Sequence, residues 1–320
     1  METVFISMVR RPLGRVEGID VRKCWRTWLR AVAVGLLGST ALSGCASTGP
    51  AHPGAVAVVA STEVWGSVAR AVAGNHIAVK SILNGANADP HSYQATAADA
   101  AALADADLVV YNGGGYDPWV ERVLTVHRGI QAVDAFAYLG TVNDAPDEHV
   151  FYNLTVAKAV AAAIAERLAV IDPSNSMDYR ANAIEFGRGA DAIVKSEHAI
   201  AAAHPATGVI ATEPVVHYLL TASGLINRTP PAFAEANEND DDPAPADMAS
   251  VLDLINNRDV AALLINPQTS TPAIADLQAA ARRAGVPVAE VSENLPSGSD
   301  YLTWQRNTVS QLTDALKSDS

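Results

Sequence analysis

Short apolar runs alternate with helical segments along most of this chain, which has 320 residues. Val56–Ala60 is a continuous apolar run typical of a buried parallel strand, and Ile77–Leu83 and Leu108–Asn112 are also strand-like. Between them, Glu63–Ala73 and Thr96–Ala106 have the apolar or alanine-rich spacing of helices. Because parallel strands are joined by crossover helices, this alternation predicts βαβ units and a parallel sheet covered by helices.

The same alternation returns in the second half, where Gly208–Thr212 and Ala261–Ile265 are strand-like and each precedes a helical segment. Between the halves, a helical pattern that begins at Pro173 continues to about Ala203 without an interrupting proline. One continuous helix is a stiffer connection than a hinge of loops. We therefore predict an α/β fold of two lobes, each a parallel sheet flanked by helices, joined by one long rigid helix. The alternative is a helix that belongs to one lobe only.

The N-terminal segment differs from the rest of the chain in charge. The formal net charge is −13, but residues 1–44 contain seven basic and three acidic residues, a net charge of +4 that leaves −17 for the remainder. An apolar run from Ala31 to about Ala41 follows the basic residues and is shorter than the about 20 residues of a membrane-spanning helix. A basic region, a short apolar region and then small residues predict a secretory signal.

Leu-Ser-Gly-Cys at residues 42–45 resembles the bacterial lipobox, whose cysteine receives a lipid and becomes the mature N-terminus. The resemblance implies a signal peptide over residues 1–44, lipidation of Cys45 and anchoring of the exported protein to the outer face of the cell membrane. Cys24 would be removed with the signal, so no thiol remains for a disulfide or a zinc–thiolate site. A small-residue turn with a buried cysteine is the alternative. Residues 45–54 are predicted to be a flexible tether.

The composition is that of a globular protein, with 49% hydrophobic and 18% charged residues. A chain of this length suggests two domains, since single cores rarely exceed about 250–300 residues. We assign residues 55–172 to an N-terminal α/β lobe, 173–204 to the linking helix and 205–320 to a C-terminal α/β lobe. The acidic body argues against a nucleic-acid partner, because phosphate contacts require clustered lysine and arginine.

Histidines in two loops are the main candidates for a functional site. His91 lies in Asp-Pro-His-Ser-Tyr at residues 89–93, and His149 follows two acidic residues, Asp147 and Glu148. Open α/β sheets bind ligands in the loops at the carboxyl ends of their strands. A loop histidine beside an acid is otherwise a common solvated surface residue. We expect four of the remaining histidines to be solvated, namely His76, His127, His198 and His204.

Several motifs together resemble one protein family. They are Asp-Pro-His-Ser-Tyr at 89–93, the segment 106–121 with its three glycines followed by Tyr-Asp-Pro-Trp, and Tyr-Leu-Thr-Trp at 301–304. These motifs are similar to those of the metal-specific solute-binding lipoproteins of bacterial ABC importers. The resemblance extends over roughly residues 55–316. It implies a metal site in the cleft between the two lobes.

In that family four side chains, two from each lobe, hold one metal ion. The resemblance implies His91 and His149 as the two ligands from the N-terminal lobe. Glu213, in Ala-Thr-Glu-Pro after a predicted strand, and Glu293, in Val-Ser-Glu-Asn after the last one, would supply the C-terminal pair. The family more often has Asp-Pro before the second histidine and aspartate as the fourth ligand. Two imidazoles and two carboxylates suit zinc, manganese or ferrous iron without any thiolate.

Three other features compete for a role in this site. His217 lies four residues after Glu213 on a predicted helix, so it is an alternative or additional ligand. Asp300 is the alternative to Glu293. The acidic run at residues 235–242 is either a weak cation-collecting loop or, as we expect, a solvated loop.

The resemblance implies a function in transport rather than catalysis. We predict a monomeric extracytoplasmic protein that captures one divalent metal ion and delivers it to a membrane ABC-transporter permease. Zinc is the favoured ion and manganese is the next. A metal-dependent hydrolase that uses the same residues is one alternative. A lipoprotein that binds an organic ligand such as a siderophore is the other, although such a cleft requires aromatic and arginine residues that this chain has in small number.

Overall fold

Two parallel sheets of four strands each lie at the centre of the fold in the computed structural model, which describes residues 56–85, 92–140, 146–239, 241–269 and 271–317. The predicted signal peptide, Cys45, the tether and His91 lie outside these ranges. Both sheets belong to one compact unit that extends from Ala51 to Ser320.

The first sheet has the order β2-β1-β3-β4 with all neighbours parallel. Its strands are β1 (Val58–Thr62), β2 (Val79–Leu83), β3 (Leu108–Tyr111) and β4 (Gln131–Asp134). Helices α1 (Glu63–Ala73), α2 (Ala97–Ala104) and α3 (Pro118–Val126) connect them. Thr96 caps α2, because its hydroxyl accepts from the backbone of Asp99 and the Asp99 carboxylate accepts from the backbone of Thr96.

The second sheet repeats this topology with the order β6-β5-β7-β8. Its strands are β5 (Gly208–Ala211), β6 (Ile226–Asn227), β7 (Leu263–Ile265) and β8 (Val288–Glu290). In both sheets the strand order reverses beside the first strand, and ligands of open α/β folds bind outside the carboxyl ends of strands at such a point. The predicted class of two parallel sheets flanked by helices is confirmed.

The remaining helices, in chain order, are α4 (Leu154–Ile171), α5 (Ser176–Ala203), α6 (His217–Ala222), α7 (Pro231–Glu238), α8 (Pro245–Asn256), α9 (Pro272–Ala284) and α10 (Tyr301–Lys317). The long linking helix is α5, preceded by a 3₁₀ turn at Pro173–Asn175. It packs against α4 and α1 of the first half and against α6 and α10 of the second. No helix of the described segments is long and apolar enough to cross a bilayer.

Helix α10 connects the two halves in a way that the sequence pattern does not show. The backbone N–H of Tyr301 donates to the Ser67 hydroxyl in α1 over 2.9 Å, and the Tyr301 hydroxyl donates to the Phe151 carbonyl over 2.5 Å. Gln305 Nε2 donates to the same carbonyl over 3.2 Å. A single hydrophobic cluster accordingly contains residues of both sheets and of α5 and α10. The last helix of the chain therefore packs on the first lobe.

Candidate metal-binding site

Three of the four predicted ligands are described, and each follows the carboxyl end of a strand. Glu213 lies two residues after β5, and Glu293 lies three residues after β8. His149 lies on the connection from β4 to α4, directly before the 3₁₀ turn Val150–Tyr152. His91, on the connection from β2 to α2, is the fourth.

His149 is held in one orientation by Asp147. Its side chain is 1% exposed, and its ring Nδ1 lies 2.9 Å from Asp147 Oδ1, which also accepts from the His149 backbone N–H over 2.9 Å. An ionised carboxylate can only accept, so Nδ1 carries the proton and Nε2 is the nitrogen available to a metal. This hydrogen bond also holds the pKa of Asp147 below its usual value, although burial acts in the opposite direction.

Two neighbouring loops support the His149 loop. Asn112, directly after β3, donates from Nδ2 to the Glu148 carbonyl over 2.8 Å. From the second half, the Tyr218 hydroxyl donates to the Asp147 carbonyl over 2.7 Å. Gly113 beside Asn112 has a φ of 74°, and a Cβ there would lie 2.1 Å from Oδ1 of Asp134. Glycine at this position therefore allows the backbone to lie close to the Asp134 carboxylate, which no other residue permits.

Nε2 of His149 faces acidic side chains. It lies 3.3 Å from Oε1 of Glu238, the last residue of α7. Burial lowers the pKa of His149, but the hydrogen bond to Asp147 and the negative charges of Asp147, Glu293 and Glu238 outweigh burial and raise it to about 9. The surroundings of this imidazole therefore favour a positive charge at Nε2, whether from a proton or from a metal ion.

Glu213 has a buried carboxylate, and only one of its two oxygens accepts a hydrogen bond from a described residue. Its residue is 4% exposed, and Oε2 accepts from Asn266 Nδ2 over 2.8 Å. Oε1 is buried and has no hydrogen-bond partner among the described residues. Burial, together with the negative charges of Glu293 and Glu238, raises the pKa of Glu213 to about 7. A buried, unpaired carboxylate oxygen is costly without a cation, so this atom fits a metal ligand.

Glu293 is positioned from both halves of the molecule. The Tyr116 hydroxyl donates to Glu293 Oε1 over 2.8 Å. Gln268 Oε1 accepts from the backbone N–H groups of Glu293 and Asn294 over 3.0 and 2.9 Å. The adjacent Ser292 carbonyl accepts from the Tyr152 hydroxyl over 2.7 Å. The loop after β8 is thus fixed against the first lobe.

The two alternative ligands have other environments. The Asp300 carboxylate caps α10 by accepting from the backbone N–H of Thr303 over 2.9 Å and from its hydroxyl over 2.7 Å. His217 is the first residue of α6, partly buried, with its ring 5.0 Å from that of Tyr218. His217 lies close enough to Asp147 for its charge to lower the pKa of that carboxyl.

Sequence reasoning missed Glu238. The expected solvated loop over residues 235–242 is, up to Glu238, the end of helix α7. Helix α7 packs its Phe233 inward and holds Glu238 against His149. Among the described residues, which exclude His91, no group of three or more His, Cys, Asp or Glu side chains forms a ready metal cluster.

Comparison with known proteins identifies the family. The family of the zinc-uptake complex component A, ZnuA, a periplasmic protein, matches residues 58–315. The chain belongs to this family. Its members are substrate-binding components of transport systems, which confirms the predicted resemblance and the prediction that the chain is not an enzyme.

Individual relatives are distant. The manganese ABC transporter substrate-binding lipoprotein PsaA of Streptococcus mitis is 22% identical over 281 residues, which cover 81% of this chain and 88% of the relative. The solved structure of a mutant of the laminin-binding adhesin Lmb of Streptococcus agalactiae has a TM-score of 0.69 at 21% identity and covers 82% of this chain and 99% of that one. The periplasmic zinc-binding protein TroA of Treponema pallidum has a TM-score of 0.68 at 20% identity, with coverage of 82% and 99%. At these identities the two structures establish the fold.

Proposed function

We propose that this protein is the extracytoplasmic substrate-binding component of an ABC importer, that it captures one divalent metal ion and that it delivers the ion to a membrane permease. The observation that carries the proposal is that each lobe supplies a buried donor: His149, fixed by Asp147, and Glu213, whose Oε1 has no hydrogen-bond partner among the described residues. Each half of the molecule contributes donors, so the cargo ion links the two lobes. Family membership does not favour the hydrolase or the organic-ligand alternative.

The proposed ligands are His91, His149, Glu213 and Glu293. Two neutral imidazoles and two carboxylates balance the charge of a divalent ion and match the donors that zinc, manganese and iron accept. In the general order of affinities of divalent metals, zinc binds most nitrogen and oxygen sites more tightly than manganese does. We therefore propose that this site binds zinc most tightly and manganese next. Competitive titration of the metal-free protein tests this order, and manganese binding that survives equimolar zinc would contradict it.

The proposed location follows from the N-terminal sequence. A lipid on Cys45 would hold a monomeric protein at the outer face of the cell membrane, beside the permease. Relatives such as PsaA of Streptococcus mitis are named lipoproteins, which supports this placement.

Metal binding is expected to raise the thermal stability of residues 46–320. A ligand that binds only the folded state stabilises it by about 2.7 kcal/mol at a hundredfold excess over its Kd, so zinc or manganese should raise the Tm by several degrees. Differential scanning calorimetry with and without metal measures the rise, and a chelator should reverse it. His91→Ala should lose the rise, whereas an unchanged rise in this variant would remove His91 from the ligand set.

Asp147→Asn is expected to weaken zinc affinity by roughly 10- to 100-fold, because a carboxylate that holds a ligating imidazole raises its basicity and fixes its orientation. Isothermal titration calorimetry measures the change. Asp178→Asn is a matched control, since Asp178 Oδ2 lies 2.9 Å from the exposed His76 outside the site. Equal losses in both variants would contradict a specific role of Asp147.

A further inference from the structure

We propose that Glu238 is a fifth protein ligand of the cargo ion and that it shifts the selectivity of the site towards manganese relative to zinc. The inference rests on the proposed function, because it assigns one more donor to the same ion. Glu238 is not one of the four ligands proposed above. It belongs to the acidic segment 235–242, which the sequence predicts to be a solvated loop.

The position of Glu238 is set by the buried side of α7. Phe233 is fully buried in the second hydrophobic cluster. Asn237 is also fully buried, and its Nδ2 donates to the Thr212 carbonyl over 3.2 Å and to the Phe233 carbonyl over 3.1 Å. Thr212 directly precedes Glu213. The last turn of α7 is thus attached to the segment that carries one proposed ligand, and Glu238 follows at a fixed distance from it.

The spacing between Glu238 and His149 matches that of two ligands on one ion. Oε1 of Glu238 lies 3.3 Å from Nε2 of His149, the nitrogen that the Asp147 hydrogen bond leaves for a metal. Two ligand atoms about 2.1 Å from one ion are roughly 3.0 to 3.4 Å apart in octahedral or tetrahedral geometry. This separation therefore allows one ion to bind both atoms.

Glu238 is also attached to the segment of a second proposed ligand. Its neighbour Asn237 donates to the carbonyl of Thr212, the residue directly before Glu213. The side chain of Glu238 is 21% exposed, which places it at the edge of the site next to solvent.

A fifth donor affects the two metals differently. Zinc sites with four protein ligands are closed and tetrahedral, and such an ion gains little from another carboxylate. Manganese accepts oxygen-rich, six-coordinate surroundings, so a further carboxylate oxygen completes more of its shell. With Glu238 the ion has two nitrogen donors and three carboxylates. The contribution of Glu238 to affinity should therefore be larger for manganese than for zinc.

The test is competitive metal titration of the full-length protein and of its Glu238→Gln variant, with Mn²⁺ and Zn²⁺ as separate probes. The amide keeps the shape of the side chain but removes its charge, so we expect manganese affinity to fall roughly tenfold or more and zinc affinity by less than about threefold. Glu235→Gln is the matched control, since Glu235 is an exposed residue of the same helix. X-ray absorption of the manganese-loaded protein should show one oxygen ligand fewer in Glu238→Gln than in the control.

The outcomes separate this inference from the proposed function. Equal losses for both metals, no loss for either, or tighter manganese binding in Glu238→Gln would each show that Glu238 only forms an ion pair with His149. Failure of the unsubstituted protein to bind either metal would instead contradict the proposed function. Glu238→Asp retains the charge on a shorter side chain, and manganese affinity equal to that of the unsubstituted protein would contradict direct ligation.

Discussion

His149→Ala is expected to abolish high-affinity binding of zinc and manganese, with a loss greater than the roughly 10- to 100-fold that removal of an outer-shell partner causes. The imidazole is buried, its Nδ1 is bonded to Asp147, and its Nε2 lies 3.3 Å from the Glu238 carboxylate of the second half. Among the described histidines, His149 is the one whose side chain is buried. Competition against a chelating metal indicator measures an affinity change of this size.

The control for this variant is His198→Ala, which removes an exposed histidine from α5 and should leave metal affinity unchanged. The His149 ring also contacts Tyr116 and Phe151, with ring centroids 5.8 and 5.7 Å away, so the Tm of the metal-free variant must be measured as well. A folded His149→Ala protein that binds zinc as tightly as His198→Ala would contradict the proposed ligand set.

The parts of the fold that the sequence predicts are those set by local patterns. The apolar runs before Glu213 and around Val58–Thr62 form buried strands, and the alanine-rich segment that begins at Thr96 forms helix α2. The predicted linking helix corresponds to α5. In each case the local pattern of apolar residues is sufficient to predict the element, because residues that are close in sequence are also close in space within a helix or strand.

The parts that the sequence does not predict depend on distant contacts. Two acidic residues, Asp147 and Glu148, precede His149. Only the folded structure shows that Asp147 is the one that forms the hydrogen bond with the imidazole Nδ1. Glu238 is one of several acidic residues in its segment, and the burial of Asn237 against Thr212 determines which one faces the site. The docking of α10 onto Phe151 likewise joins residues about 150 positions apart.

These distant contacts also explain why the ligand loops are well positioned. Tyr116 bonds to Glu293, Tyr152 bonds to the carbonyl of Ser292, and Tyr218 bonds to the carbonyl of Asp147. All three bonds join the first half of the chain to the second beside a proposed ligand. Because each of these loops is hydrogen-bonded to the opposite lobe before the ion binds, the loops lose less conformational freedom on binding.

Metal affinity is expected to fall steeply as the pH decreases from 8 to 6. His149 has a pKa of about 9 and Glu213 a pKa of about 7 in the metal-free protein. Below pH 9 His149 carries a proton that the metal must displace, which lowers the apparent affinity about tenfold per pH unit. Below pH 7 Glu213 is also protonated, and the decrease becomes about a hundredfold per unit. These two groups together are therefore expected to lower the affinity roughly a thousandfold between pH 8 and pH 6.

Calorimetric titration with manganese in buffers of different ionisation enthalpy measures both the affinity and the protons released. His149 and Glu213 together should release about one proton per ion at pH 8 and about two at pH 6, since the raised pKa of Glu213 adds the second. Glu213→Gln should remove the additional slope below pH 7 while the slope due to His149 remains. An affinity that is constant between pH 6 and pH 8 would mean that neither group binds the ion, because a ligand that is protonated in the free protein must lose its proton to bind a metal.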